Sequence, residues 1–332
     1  MPDRLGLTRR DGLGLGIGLG LIGGLSAAAP MTALAATVQK DSDPAIISLT
    51  KPGYPLGEGP IWSPRHNSVF FVDILGKEVH RYDLARQEVV QSFGMPDIVG
   101  WIVEREKGGF VVGVKNDIYF LDLEPFKLTK VLGLEADKPG NRLNDAKCDA
   151  KGRLWTGTMD MAFKDRTASL YRIDPDLSVH VIDTNYVCTN GPAFSKDGTR
   201  MYHNETHDGI VYLYDIAPDG SASNRRVFTK FPDGVGLPDG CTVDADDALW
   251  VSHYGGGRVG RFTPDGKLDF EVMLPAKNTS SLSFFGPDLD RLVVTSAAQG
   301  VVGDLGAAGT IFEVPKPLLR GHKGLPMAMF AG

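Results

Sequence analysis

The chain has 332 residues, 42% hydrophobic and 23% charged, which is globular composition with material for one large core or two small ones. A formal net charge of -6 and no cluster of Lys or Arg argue against a nucleic-acid partner, and three cysteines without CxxC spacing suggest neither a disulfide framework nor a thiolate zinc site. The 41 glycines and 21 prolines suit a chain that turns often between short strands, so composition favours an all-β design.

Thr8-Arg9-Arg10 precedes a weakly apolar, glycine-rich run over 12–29, and Ala33-Leu34-Ala35 then offers a small-x-small cleavage pattern. This segment, 1–35, reads as a twin-arginine export signal, which places the mature domain at 36–332 and predicts a periplasmic or secreted protein without stable membrane association after signal removal. An uncleaved anchor is the alternative, but the glycines weaken hydrophobicity and no charged stop follows. Gly18-Leu19-Gly20-Leu21-Ile22-Gly23 matches GxGxxG formally; with no strand before it and no βαβ unit around it, it reads as a coincidence of a Gly/Leu-rich signal.

From Leu56 to Val314 one phrase returns: a turn with Asp, Pro or Gly, a short alternating apolar strand, a polar turn, and a second strand. It begins near Ser63, Glu106, Asp149, Ser195, Asp244 and Pro287, and 109–113 followed by 118–121, or 248–252 followed by 259–262, are examples. An interval of this length, about 45 residues, is that of propeller blades, each a four-stranded sheet that needs neighbours to bury its faces. Six such intervals and no long amphipathic helix predict an all-β six-bladed β-propeller with four-stranded antiparallel blades around a central channel. Hairpin turns such as Asp219-Gly220 and Asp265-Gly266 fit it, and the extended stretch 45–49 is expected to close the ring by joining the last blade.

A propeller brings the starts of its inner strands to one axis, so oxygen ligands in short loops before apolar strands are the candidates for a site. Four loops qualify: Gly57-Glu58-Gly59-Pro60, 141–145, Thr189-Asn190-Gly191-Pro192 and Pro238-Asp239-Gly240. Taken singly, Glu58 also reads as a surface turn acid, Asn190 as a turn residue beside Gly191, and Asp239 as part of a Pro-Asp-Gly turn.

Taken together, the loops carry a resemblance. Asn141-Arg142-Leu143-Asn144-Asp145-Ala146-Lys147 is followed by Asp149, Gly152-Arg153 and Trp155-Thr156-Gly157-Thr158-Met159. With Leu56-Gly57-Glu58-Gly59-Pro60, Asn190-Gly191 and Pro238-Asp239-Gly240, this set resembles the senescence marker protein 30, gluconolactonase and luciferin-regenerating enzyme family, also called regucalcin-like, from Leu56 to about Gly300. The resemblance implies one divalent cation (calcium, zinc, manganese, magnesium or iron) held by Glu58, Asn190 and Asp239, an oxygen set that neutralises the ion and leaves a position open. It implies metal-dependent hydrolysis of a small-molecule sugar lactone, such as gluconolactone, xylonolactone, arabinonolactone or galactonolactone, to the aldonic acid, with Asp239 also the general base. Arg142 and Asn144 match the family's substrate-contact positions, and Asp145 and Lys147 are expected to be structural. In the best-known animal members an acidic substrate contact lies soon after the Gly-Thr-Met; here Asp160 follows Met159 directly, so Asp160 is the substrate-binding candidate in a shifted register.

His203 and His207 invite a zinc reading, but a spacing of four shares a face only on a helix, and this stretch reads as strand and turn, so surface or loop histidines are expected. Trp101, Trp155 and Trp250 are expected in blade packing, with Trp101 alternatively at the channel mouth. The cysteines read as small buried residues, a Cys188–Cys241 pair being the exception left open. Two rival readings share the fold: a non-catalytic periplasmic calcium- or sugar-binding propeller, and a propeller esterase or organophosphatase, whose relatives tend to carry a histidine at the metal, which none of the four loops holds.

Overall fold

Short apolar runs between polar turns form six four-stranded sheets in the computed structural model, which describes residues 45–332. The export-signal reading of 1–35 and the GxGxxG coincidence lie outside the described residues. Blades 1 to 5 use consecutive strands over 57–94, 99–133, 141–186, 189–230 and 237–273. Blade 6 takes Thr279–Phe285, Arg291–Ser296 and Phe312–Val314, and its fourth strand is Ile47–Ser48 from the other end of the domain. Ile47 pairs with Glu313 and Ser48 with Phe312, and the Leu49 amide donates to the Ile311 carbonyl at 2.8 Å, so the stretch 45–49 closes the ring as its sequence suggested. Among the described residues the only helical element is the 3₁₀ turn Lys316–Leu319.

The repeat read from the sequence is out of phase with the blades. Ser63, Glu106, Asp149, Ser195, Asp244 and Pro287 sit at or near the turn after each first strand, where the polar residues are densest. Two of these turns reuse one device. Asp149 accepts the Trp155 indole N–H at 2.9 Å and the Arg153 Nε–H at 2.6 Å; Asp244 accepts the Trp250 indole N–H and the Arg261 Nε–H, both at 2.8 Å. The six-residue Asp-to-Trp spacing satisfies a fully buried indole at the cost of one carboxylate, whose charge the arginine balances.

Burial falls from the axis outward: every residue of Gly57–Ser63 is buried, whereas Val179–Tyr186, the outer strand of blade 3, is mostly exposed. The first strands of adjacent blades contact one another all the way around the ring. Six apolar clusters fill the six blade interfaces; the one between blades 1 and 2, for example, packs Phe70 and Val72 on Ile102 and Phe110. Trp101, Trp155 and Trp250 are all fully buried in such clusters, so Trp101 does not line the channel mouth. The three cysteines are buried and free, with no Cys188–Cys241 bond.

His203 is a second correction. It is buried, not at the surface, because it lies mid-strand in Arg200–Glu205 edge-on to the Tyr186 ring at 5.2 Å; burial holds its imidazole down at about 3, so it packs as a neutral ring. His207, in the following turn, is exposed as expected.

At the end of the channel reached by the close of the inner strands, the C-terminal tail crosses the ring. The Ala245 amide of blade 5 donates to the Lys323 carbonyl, the Glu106 amide of blade 2 to the Phe330 carbonyl, and the Ala331 amide to the Gly152 carbonyl of blade 3. The opposite end, where the inner strands begin, is left for a site.

Candidate functional site

Each inner strand of blades 1, 3, 4, 5 and 6 breaks register at the same place. The shifts fall between Glu58 and Ile61, Leu143 and Ala146, Asn190 and Ala193, Pro238 and Cys241, and Thr279 and Leu282. Two residues there oppose one on the neighbouring strand, a bulge that re-aims side chains out of the sheet's alternation. Gly59 and Gly191 take φ of 51° and 78° in two of these bulges, a backbone that favours glycine, and a Cβ on Gly191 would stand 2.9 Å from the Cys241 sulfur. The chemistry-bearing residues therefore cluster at irregularities that the ring repeats.

These bulges open into one cavity of about 610 Å³, whose lining includes Glu58, Arg142, Asn144, Asn190 and Asp239 together. All five are nearly buried, so they form its floor. Glu58 accepts its neighbour Gly59's N–H at 2.8 Å. Burial, then the charge of Asp145, push its carboxyl up to about 8; burial, then the charges of Glu58 and Asp145, raise that of Asp239. Arg142 lowers both without cancelling the repulsion. Asn190 donates its amide N–H to the Thr206 hydroxyl at 2.8 Å, and Thr206 donates to the Pro238 carbonyl at 2.8 Å, a chain that leaves the Asn190 oxygen for the cavity. Two buried carboxylates that repel each other, beside an oriented amide oxygen, fit a divalent cation: the ion would relieve the repulsion, and all donors are hard oxygens.

Arg142 spends one guanidinium N–H on the Leu143 carbonyl at 3.0 Å, and Asn144 donates to the Thr189 carbonyl at 2.6 Å, so blade 4 holds the Asn144 amide in place. Asp145 accepts N–H groups from Ala146 at 2.7 Å and from Gly191 at 3.0 Å, while the Lys147 ammonium donates to the Cys241 carbonyl. Both tie blade 3 to blades 4 and 5, which is more than the local bonding their sequence position suggested.

Asp160 is not brought to the cavity. Its carboxylate accepts the N–H groups of Ala162, Lys164 and Asp165 at 3.2, 3.0 and 2.8 Å, and these bonds, that of Asp165 foremost, hold it below the usual carboxylate range. It closes the turn after Leu154–Asp160, while its neighbours Met159 and Met161 line the cavity instead.

Three lining residues had no motif to announce them. Thr206 starts a hairpin turn; Tyr254 ends the strand Leu249–Tyr254, with its phenol pushed up to about 12 by burial and then by Asp239 and Glu58; Cys188 has its thiol raised by burial and then by Asp239, so it is no thiolate nucleophile. No histidine lines the cavity among the described residues. Glu205, His207 and Asp208, and separately Asp244, Asp246 and His322, bring their ligand atoms within 4.8 Å, but local structure uses them: Glu205 accepts the Val187 and Cys188 amides, Arg166 clasps Asp208 at 2.8 Å, and Asp244 serves Trp250 and Arg261.

Residues 56–298 match the family described as SMP-30/Gluconolactonase/LRE-like region. The chain belongs to this family. Regucalcin of Xenopus laevis is 34% identical over 290 residues, 84% of this chain and 96% of the relative. A 6-deoxy-6-sulfogluconolactonase of Pseudomonas putida is 33% identical over 245 residues, 74% and 84% of the two chains. Among solved structures, a calcium-binding protein, regucalcin, from Agrobacterium tumefaciens superimposes with a TM-score of 0.81 at 27% identity, covering 87% of this chain and 98% of its own. Family membership thus accords with the six-bladed fold, and regucalcin-like neighbours accord with a divalent metal of unspecified identity.

Proposed function

We propose that this propeller hydrolyses a sugar lactone with the aid of one divalent cation held by Glu58, Asn190 and Asp239. The observation that carries the reading is the meeting of these three residues, from blades 1, 4 and 5, with Arg142 and Asn144 in one cavity. Lactonase relatives at about this level of identity support the reaction class. When bound, a divalent ion supplies Lewis-acid polarisation of the lactone carbonyl. The remaining guanidinium N–H groups of Arg142 and the carbonyl oxygen of Asn144 bond the substrate's hydroxyls and ring oxygen, which fixes the ring over the floor. Asp239 takes a proton from the attacking water as its oxygen bonds to the carbonyl carbon. The ring C–O bond then breaks, its oxygen leaves with that proton, and the open-chain aldonic acid results. No side-chain nucleophile is needed, in keeping with a Cys188 thiol that stays protonated.

The test is a panel of gluconolactone, xylonolactone, arabinonolactone and galactonolactone, assayed with and without chelator. Metal-dependent acid release is expected, and Asp239→Ala is expected to lower it by at least about a thousandfold while the protein stays folded. Metal binding with no turnover of any member would instead leave a binding protein, and wild-type rates in Asp239→Ala would remove the proposed base.

A further inference from the structure

The floor of the cavity is polar, but one side of its wall is not. Between the buried floor and solvent, blades 1 to 3 contribute Leu56, Leu75, Ile98, Met159, Met161 and Phe163, while the facing side from blade 6 offers Asn278, Gln299 and Gly300. Leu75, Met161 and Phe163 stand 44%, 46% and 38% exposed, against 7% for Glu58, so they form a rim above the floor and not a second core. They also sit on separate turns, after Ser68–Asp73 and after Leu154–Asp160, which makes an accident of one local sequence a poor account of the arc. Phe163 holds its place with φ of 53° and its ring 5.3 Å from that of His207. A solvated apolar arc that continues directly from a polar site loses its hydration cost only when a ligand covers it. A bare hexonolactone is smaller than the drug-sized ligands that pockets of about 300–1,000 Å³ enclose, and it presents hydroxyls on every side. It fills the floor and leaves the arc wet in a cavity of about 610 Å³.

We infer that the substrate is an amphiphilic lactone: a hydroxylated ring for the floor, with an apolar arm, acyl or alkyl, on the carbon farthest from the carbonyl, lying along the arc of Leu75, Ile98, Met161 and Phe163. This rests on the lactonase reading above and narrows it. The arm takes no part in the chemistry; its burial contributes binding that small sugar lactones lack.

The experiment compares gluconolactone with its 6-O-octanoyl derivative on the full-length metal-loaded protein, following ring opening by mass spectrometry so that a product retaining its octanoyl group is scored. If three or four methylenes of the arm are covered, kcat/KM rises by on the order of a hundredfold over gluconolactone. The double variant Leu75→Asn, Phe163→Asn changes only rim residues, and asparagine tolerates the left-handed backbone at 163. It is expected to lose most of that preference while its rate on gluconolactone stays within about twofold of the wild type, since no floor contact changes. Equal kcat/KM for the two substrates in the wild type, or a preference that survives the double variant, overturns the inference and leaves the lactonase reading standing. Failure to open either lactone with calcium, zinc, manganese or magnesium supplied overturns both.

Discussion

Thr206 is the residue whose removal most cleanly separates position from presence. Its hydroxyl is a relay, receiving the Asn190 amide and giving to the Pro238 carbonyl next to Asp239, so one small side chain braces the segments that carry two of the three proposed ligands. Thr206→Val keeps the shape and deletes both bonds, freeing the Asn190 amide to rotate. Loss of such a support typically weakens a metal about 10- to 100-fold. Titration of the metal-free variant with calcium or zinc is expected to return a Kd raised by that factor, with kcat at saturating metal close to the wild type, and Thr206→Ser is expected to restore affinity. A variant that binds metal normally but unfolds at lower temperature would make Thr206 merely structural. At this scale the sequence was uneven. Glu58, Asn190 and Asp239 stood in short Gly- or Pro-flanked loops that a pattern can pick out, whereas Thr206 and Tyr254 act across blade boundaries and follow no local rule. Asp160 erred for the opposite reason: an acid after a strand is equally suited to capping its own turn, and three nearby amides compete for it with any distant substrate.

Among the elements, the two-residue strand Ile47–Ser48 carries a disproportionate task, because among the described residues it is the strand that pairs with the outer edge of Phe312–Val314 in blade 6. The Leu49 N–H bond to Ile311 and the packing of Leu49 beside Phe71 and Ile311 fasten it. Leu49→Pro removes that donor and part of the side chain, and is expected to destabilise the domain by about 1–3 kcal/mol, measured by denaturant unfolding. Because the site lies at the inner strands, the folded fraction should keep its metal affinity, so a loss of affinity parallel to the loss of stability would show that closure reaches the hub. Reading this element from sequence required only the rule that an open ring leaves edge strands exposed, which the extended stretch 45–49 could remedy. The bulges were another matter. A strand's alternation fixes which side chains share a face, but a break of two residues against one shifts that pattern, and only small, polar or proline-containing pairs such as Asn144-Asp145, Gly191-Pro192, Asp239-Gly240 and Ser280-Ser281 before apolar residues hint at it.

For the molecule as a whole, sixfold repetition made the ring legible, because each blade restates the same turn chemistry and the same need for neighbours; the convergence of distant loops is a consequence of the ring, so it became visible only through the fold. That convergence also stores repulsion at the hub. Glu58 on blade 1 and Asp239 on blade 5 are buried together; burial and then Asp145 raise the proton affinity of Glu58, and burial and then Glu58 and Asp145 raise that of Asp239, so ionising all three carboxyls without a cation opposes folding. A cation held by Glu58, Asn190 and Asp239, as proposed above, would reverse this, and metal at about a hundred times its Kd would add about 2.7 kcal/mol to stability by mass action. The metal-free protein is therefore expected to melt several degrees below the loaded one. Asp239→Asn removes one of these charges while keeping the shape, so the metal-free variant is expected to melt above the metal-free wild type and to gain little when calcium or zinc is added. Calorimetry of both proteins with chelator and with metal reads all four states. A metal-free Asp239→Asn that melts lower than the metal-free wild type would mean that the aspartate is held by favourable bonds and not by an ion, and the hub would then be a packed polar core with no repulsion for a cation to relieve.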